Sequence, residues 1–317
     1  MIRIGSLNEV PEAWRGAWLT IGNFDGAHRG HARLIERLRA RADADGVPAV
    51  ALTFDPHPVA LLRPEAAPIP LTWPDRTAEL LRAAGATAVG AFRTGPWLLE
   101  LTASDFFTRV VLGVFSAKGM VEGPTFGFGR DRAGNVERLA AWCAEAGLTL
   151  EVPEPIILDG RIVSSTRIRT AIDEGRAAEA AELLGRPHRI RGRVARGLGR
   201  GATLGFPTAN LEEVDTRIPA DGVYAAWALL AERPSPIPCA IHVGPNITFG
   251  AQTRTVEAHL IDFQGDLYDQ VIEIDFLARL RRSRKFSNAI ELRSQIERDV
   301  ADARAATAQA IGLVDRD

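Results

Sequence analysis

The hydrophobic pattern of this chain changes character once, at Gly185-Arg186-Pro187, and that change constrains the fold more than any other feature. Upstream, short apolar runs alternate with segments of helical spacing. Ala17-Trp18-Leu19-Thr20-Ile21 and Ala49-Val50-Ala51-Leu52-Thr53-Phe54 read as buried strands, and residues 29–43 put Leu34, Ile35 and Leu38 on one helical face. Further helices are predicted at 75–84, 103–112, 136–146, 166–174 and 176–184, with strands at 87–91, 118–122 and 148–152. Such alternation predicts an α/β domain, a parallel sheet covered by helices on both faces. Ligands of these sheets bind beyond the carboxyl ends of the strands, so the loops after Ile21 and after Phe54 are where a site is expected.

Downstream, apolar runs at 188–196, 222–230, 238–244, 254–262 and 271–277 follow one another with only turn residues between them. In the last, Ile272, Ile274 and Phe276 share one face and Glu273 and Asp275 the other. Successive strands without helices predict an antiparallel barrel or sandwich. A closing helix is predicted near 288–310, with Asn288 as N-cap, Glu291 three residues on, and Leu292, Ile296 and Val300 as an apolar stripe. The boundary near 186 divides the 317 residues into domains 1–186 and 187–317, in keeping with about 150 residues per domain.

Several function classes are excluded at this level. The formal net charge is −2, so no global basic field argues for a nucleic-acid partner. Two cysteines, Cys143 and Cys239, make neither a disulfide framework nor a Cys-rich zinc module. No apolar run approaches the roughly 18 residues of a membrane span. A cytoplasmic protein with no membrane partner is expected. Only Lys118 and Lys285 are lysines, and neither stands in a Walker A loop; a G-x-G-x-x-G fingerprint is missing as well. Any nucleotide is therefore handled by another route.

The richest segment, Gly22-Asn23-Phe24-Asp25-Gly26-Ala27-His28-Arg29-Gly30-His31, joins the first strand to the first helix. Its glycines let backbone approach a ligand, and helix N-termini attract anions. His28 and His31 can donate to phosphate oxygens or stabilise a transferring phosphoryl group. The plainer reading is a glycine turn with two surface histidines. A zinc site from His28, His31 and His57 is a third reading, disfavoured by the flanking glycines and the missing H-E-x-x-H pattern. In the second half, Gly197-Leu198-Gly199-Arg200-Gly201 can cradle phosphate with its N–H groups. Thr208 and Asn210 of Pro207-Thr208-Ala209-Asn210 share a face of an extended segment and offer hard oxygen ligands for Mg²⁺.

Together these motifs resemble the bacterial FAD synthetases, bifunctional enzymes with riboflavin kinase and FMN adenylyltransferase activity. Gly22-Asn23-Phe24-Asp25-Gly26 with His28-x-Gly30-His31 resembles their nucleotidyltransferase signature. Thr53-Phe54-Asp55-Pro56-His57-Pro58 and Ser164-Ser165-Thr166-Arg167-Ile168-Arg169 follow in the family's order, and the Pro-Thr-Ala-Asn segment resembles the kinase metal and phosphate motif. Gly222-Val223-Tyr224-Ala225, Gly244-Pro245-Asn246-Ile247-Thr248-Phe249, Asp266-Leu267-Tyr268 and Arg284-Lys285-Phe286 extend the resemblance over about 16–305. Two positions depart from it. Thr125 of Glu122-Gly123-Pro124-Thr125-Phe126-Gly127-Phe128-Gly129 replaces an amide or carboxylate, and Ile247 stands where proline is usual.

The resemblance implies a Rossmann-like nucleotidyltransferase domain followed by a riboflavin kinase barrel. It implies ATP contacts at Gly22, Asn23, Phe24, Asp25, Gly26, Ser164, Ser165, Thr166 and Arg169 in the first half, and at Gly197, Gly199 and Gly201 in the second. Flavin contacts are implied at Phe54, Pro56, His57, Pro58, Thr125, Phe126 and Phe128, with core packing the alternative role for the two phenylalanines. Thr208 and Asn210 are expected to hold Mg²⁺, and Glu257 to be the kinase base, with His28 and His31 as the catalytic pair of adenylyl transfer. Riboflavin, FMN and ATP are the expected substrates, FMN and FAD the products, and a monomer or weak homo-oligomer the expected state. The alternatives are a riboflavin kinase whose adenylyltransferase half is impaired through Thr125, a transferase for another phosphate-bearing acceptor such as nicotinamide mononucleotide, and a non-catalytic flavin-binding protein.

Overall fold

The computed structural model describes residues 1–197, 199–245 and 254–314. The chain forms two compact units, Met1–Pro68 with Thr72–Ser164, and Ile69–Leu71 with Ser165 onward.

The first unit holds β1 (Ile2–Ile4), β2 (Trp18–Ile21), α1 (Arg29–Asp45), β3 (Ala49–Asp55), α2 (Pro58–Leu62), α3 (Pro74–Ala83), β4 (Ala88–Arg93), α4 (Pro96–Leu99), α5 (Ala103–Asp105) and β5 (Gly119–Val121). It continues through β6 (Gly127–Phe128), β7 (Gly134–Asn135), α6 (Val136–Glu145), β8 (Thr149–Glu151), β9 (Ile157–Leu158) and β10 (Arg161–Ile162). Six strands make a sheet of order β1-β4-β3-β2-β5-β8, parallel at every pairing.

Both faces of this sheet are covered, because neighbouring residues of a strand point to opposite sides. Trp18, Ala49, Ala51 and Val121 pack with Ile35, Leu38 and Ala42 of α1. Leu19, Ile21, Val50, Leu52 and Met120 pack on the other side with Phe106, Phe107, Val110, Val111, Leu139 and Cys143. The strand order reverses between β2 and β5, which makes their carboxyl ends the switch point of the sheet.

The segment expected as one α-helix over 103–112 departs from that expectation. α5 is a single turn capped by Thr102, whose Oγ1 accepts the Asp105 N–H at 3.0 Å, and Phe106–Val114 continues as a π-helix. Its apolar residues come as adjacent pairs, Phe106-Phe107 and Val110-Val111, and all four are buried. The wider π turn lets both members of each pair reach the core.

The second unit opens with α7 (Ser165–Asp173) and α8 (Ala177–Leu184). Then come β11 (His188–Ala195), α9 (Arg200–Thr203), β12 (Ala209–Glu212), β13 (Gly222–Leu229), β14 (Ile237–Pro245), β15 (Arg254–Leu260), β16 (Val271–Arg281) and α10 (Ala289–Val314). The six strands close into an antiparallel barrel of order β11-β12-β15-β14-β13-β16. Barrel rather than sandwich is decided by β16, which pairs with both β11 and β13 along its 11 residues. Register shifts on β13 at Val223/Tyr224 and Ala225/Ala226 supply the bending that closure needs. Alternate residues fill the interior, among them Ile190, Tyr224, Ile241, Val243, Val256, Ala258, Ile274 and Phe276.

α10 begins as expected: Asn288 Oδ1 accepts the Glu291 N–H at 2.9 Å, and Glu291 Oε2 accepts the Ser287 N–H at 3.1 Å. A bidentate pair from Arg281 of β16 to Asp299, with distances of 2.8 and 2.6 Å, ties the helix to the barrel.

Candidate functional site

A cavity of about 720 Å³ lies in the second unit, ample for a small-molecule ligand. It sits against the outer face of the barrel wall. Ile241, Val243, Val256 and Ala258 point into the packed interior, while His242, Thr255, Glu257 and His259 alternate to the cavity side. The glycine loop at Gly197, Gly199 and Gly201 rims one end, and Leu292, Ile296 and Val300 of α10 line another side.

The Thr208–Asn210 segment is locked onto β15. Asn210 stands opposite Glu257 in the β12–β15 ladder. His259 Nδ1 donates to the Pro207 carbonyl at 2.8 Å, and Phe206 meets the His259 ring edge-on at 5.5 Å. Thr255 Oγ1 lies 3.0 Å from Glu257 Oε1 and 3.1 Å from the Gly244 carbonyl, so one hydroxyl braces the carboxylate against the turn. Gly197 and Gly201 leave space that a side chain would fill. A Cβ at Gly197 would lie 2.6 Å from Asn210 Cγ, and one at Gly201 would collide with the Phe206 carbonyl and reach 3.3 Å from Thr208 Oγ1. Thr208, Asn210, Glu257 and the three glycines therefore share one cavity. Asn246, Ile247, Thr248 and Phe249 lie outside the described residues.

Sequence reasoning passed over several lining groups. His242 faces Glu257 across the β14–β15 ladder, and its Nε2 is 3.5 Å from Ser283 Oγ. Burial holds its imidazole below the ordinary value, against the opposing pull of the Glu257 carboxylate, while nearby Arg281 also lowers it. Alternation along 238–244 could have put His242 opposite Ile241 and Val243. Only the register shows that it meets Glu257.

In the first unit, the loop after β2 carries the glycine–histidine segment. His28 is the N-cap of α1: its Nδ1 accepts the His31 N–H at 3.3 Å, which leaves Nε2 to carry the proton of the neutral ring. The two rings stack with centroids 3.6 Å apart, and Phe24 meets His31 edge-on at 5.2 Å. A Cβ on Gly30 would crowd the His28 ring at 3.1 Å, so glycine makes room for it.

Phe24 and Ala27 hold positive φ values of 46° and 36°, and Gly26 one of 83°. Two such non-glycine residues in one turn store strain of about 1–3 kcal/mol each, which the surroundings must over-determine. The bracing is visible. Gly22 N–H donates to the Leu52 carbonyl, Thr53 Oγ1 to the Asn23 carbonyl, and Thr72 takes the Gly26 N–H on its hydroxyl and gives its own N–H to Asp25 Oδ1.

The remaining expected residues are placed as follows. Phe54 and Pro56 lie at the carboxyl end of β3 and just beyond it, and His57 caps α2, accepting the Val59 N–H at 3.1 Å ahead of Pro58. Thr125 is exposed, and its carbonyl accepts from Arg132 Nη2 at 3.1 Å. Phe126 stacks on Phe128 at 5.3 Å, and Phe128 is buried among Phe106 and Trp142. Ser164 ends the first unit, and Ser165, Thr166 and Arg169 open α7 in the second.

His28 and His57 each spend a ring nitrogen on a helix cap, which disfavours the zinc reading. Among the described residues no group of three or more His, Cys, Asp or Glu side chains could hold a metal ion. One buried acid is given no role by the sequence motif that contains it. Glu122, at the end of β5, is 2 % exposed, and its Oε1 accepts the Ile21 N–H at 2.8 Å.

Comparison with known proteins accounts for both halves. A family model described as riboflavin kinase matches residues 184–307, and one described as FAD synthetase matches residues 10–167. The bifunctional riboflavin kinase/FMN adenylyltransferase of Pseudomonas fluorescens is 36% identical over 96% of this chain and 97% of its own. That of Escherichia coli K12 is 33% identical over 95% of each chain. A crystal structure from Streptococcus pneumoniae, described as a macrolide-efflux protein, is 29% identical and superimposes with a TM-score of 0.84 over 96% of this chain and 98% of that one. No described helix is long and apolar enough to cross a membrane. With identity at this level along nearly its whole length, the chain belongs to the family of bifunctional riboflavin kinase/FMN adenylyltransferases.

Proposed function

We propose that the second unit phosphorylates riboflavin with ATP to give FMN and ADP, and that the first unit adenylylates FMN with a second ATP to give FAD and pyrophosphate. The observation that carries the reading is the pairing of Asn210 with Glu257 in a cavity rimmed by the Gly197–Gly201 loop.

In the kinase step Glu257 takes the proton of the ribityl 5′-hydroxyl as that oxygen attacks the γ-phosphorus and the bond to ADP breaks. Thr255 holds the carboxylate in place. The apolar side of α10, Leu292, Ile296 and Val300, suits the flavin ring, and the glycine loop suits the phosphates. Thr208 Oγ1 and Asn210 Oδ1 are hard oxygens with space cleared by Gly197 and Gly201, a donor set that fits Mg²⁺. Bound there, the ion supplies charge neutralisation for the ATP phosphates.

In the adenylyl step an FMN phosphate oxygen attacks the α-phosphorus of ATP and pyrophosphate leaves, so the protein needs no nucleophile of its own. His28 and His31, stacked at the start of α1, stabilise the charge that develops. Gly22, Asn23, Phe24, Asp25 and Gly26 form the strained turn that presents them. Phe54, Pro56, His57 and Pro58 at the end of β3, with Thr125 and Phe126, are the flavin side of this site. We place the functional domain boundary near 186, two residues past the start of the riboflavin kinase match at 184. A monomer or weak homo-oligomer acting in the cytoplasm, with neither nucleic acid nor membrane as partner, completes the reading.

The test uses purified full-length protein with ATP and Mg²⁺, separating riboflavin, FMN and FAD by chromatography. Glu257→Gln is expected to lower FMN formation by about a hundred-fold or more while FAD is still made from supplied FMN. His31→Ala is expected to do the reverse. Loss of both activities in either variant overturns the assignment of separate sites. FMN without FAD from the unaltered protein supports the kinase-only alternative, and no product supports a binder.

A further inference from the structure

The ladder between β2 and β5 is short. Its register runs Trp18↔Gly119 and Leu19↔Met120. The next donor on that edge, the Ile21 N–H, goes to a side chain instead, Glu122 Oε1 at 2.8 Å. One residue further, Gly22 N–H turns the other way, to the Leu52 carbonyl of β3 at 2.9 Å. The strands thus part at the switch point, and the Glu122 carboxyl bridges the parting.

Its surroundings define its chemical state. Glu122 is on the face that carries Ile21, Met120 and Cys143, all in one apolar cluster. Its own N–H is spent on the Glu151 carbonyl at 3.0 Å. The Glu151 carboxylate faces the other way, to Arg37 and Arg41 of α1. Among the described residues no cation pairs with Glu122. An ionised carboxylate there would keep one hydrogen bond in exchange for full hydration, which is strongly unfavourable. Burial accordingly raises its pKa well above the ordinary carboxyl value, while the Ile21 N–H draws it back in part. The titratable group that faces it is Cys143 of α6, whose own pKa is raised to about 11 by burial and by Glu122.

We propose that Glu122 is a positioning residue for adenylyl transfer: as a carboxylic acid it ties the end of β2 to the end of β5, and so holds the Gly22–His31 turn and the Gly123–Phe128 loop at one separation. The inference rests on assigning adenylyl transfer to the first unit. Both segments begin within one residue of the bond, Gly22 after Ile21 and Gly123 after Glu122 itself. Ionisation of Glu122 puts a charge into the apolar cluster, draws in water and loosens the junction. FAD formation should then fall at alkaline pH through this group, while FMN formation in the other unit should not respond to it.

The experiment compares Glu122→Gln, which keeps a neutral acceptor of the same shape, with Glu122→Leu, which removes the acceptor. FAD formation from FMN and FMN formation from riboflavin are followed from about pH 6 to about pH 10, with KM for ATP and kcat separated. The Leu variant is expected to raise KM for ATP in FAD formation about ten-fold, the loss of one buried hydrogen bond, with FMN formation unaltered. The Gln variant is expected to restore KM and to lack the alkaline fall. An unaltered KM in the Leu variant overturns the proposal, as does a Gln variant that is equally impaired or keeps the unaltered protein's alkaline limb. If the Leu variant does not fold, the pH profile of the Gln variant decides. Failure of the underlying assignment is distinct: it appears as FAD formation that survives His31→Ala.

Discussion

Asn210 and Glu257 stand opposite each other across the β12–β15 ladder, so a candidate metal ligand and a candidate base are held apart by one hydrogen-bonded strand spacing. The barrel pairing fixes the backbone positions of both residues, so the spacing of the two candidate groups is built into the register.

The space for this pair comes from a glycine. Gly197→Ala puts a Cβ within 2.6 Å of Asn210 Cγ and displaces the amide. FMN formation should fall about ten-fold or more, since misplacing a group by about 1 Å can cost a hundred-fold. FAD formation from supplied FMN should stay level. Equal loss of both activities would show that the substitution acts on stability instead.

Asp299 fastens α10 over the cavity. Its side chain is 5% exposed, accepts from both Nε and Nη2 of Arg281 and takes a further bond from Gln295 Nε2 at 2.8 Å. Asp299→Ala leaves a largely buried guanidinium unpaired and should cost about 3 kcal/mol. Because Leu292, Ile296 and Val300 lose their fixed position with it, KM for riboflavin should rise more than KM for FMN in FAD formation. Denaturant unfolding and steady-state kinetics on the same preparation check both parts.

His188 gives the second unit an acid limit. Its Nε2 donates to the Arg217 carbonyl at 2.7 Å, and burial pushes its pKa down to about 4 from an ordinary 6.5, with Arg186 adding to the lowering. The unfolded chain binds the proton first as pH falls. Stability is therefore whole above about pH 6.5 and is lost between there and about pH 4, by about 3 kcal/mol in all. Unfolding free energies measured across that window should fall less steeply in His188→Gln. An unaltered slope in that variant would remove His188 as the cause.

Gly129 is the corresponding weak point of the first unit. Its φ of 73° suits glycine, and a Cβ would lie 2.5 Å from Ala103 Cα. Gly129→Ala should destabilise this unit by about 3 kcal/mol, overpacking and backbone strain acting together. After mild heating FAD formation should be lost while FMN formation survives. Survival of both would mean that the loop repacks at little cost.

Much of this was readable in the chain because periodicity is a local property. The continuous apolar run Trp18–Ile21 declares a strand buried on both faces, the alternating run Arg254–Leu260 declares one buried face, and Asn288 with Glu291 declares the start of α10. What stayed hidden depended on partners distant in sequence. Three residues of β1 are too few to show a period. The π-helix at Phe106–Val114 follows from the sheet it packs on. The sequence leaves Phe126 and Phe128 equally suited to a flavin wall or to the core, and the structure buries Phe128 with Trp142.

By itself the sequence determined the two fold classes, the order of the motifs and the chemical types of the reacting groups, since each is written in neighbouring residues. The tertiary structure decided which of those groups meet. It set Glu257 between Asn210 and His242, and it placed Glu122 against Ile21 from 101 positions away. Strand register and burial arise only when distant segments pair and water is excluded, and those two conditions govern both the geometry and the protonation of the groups in these sites.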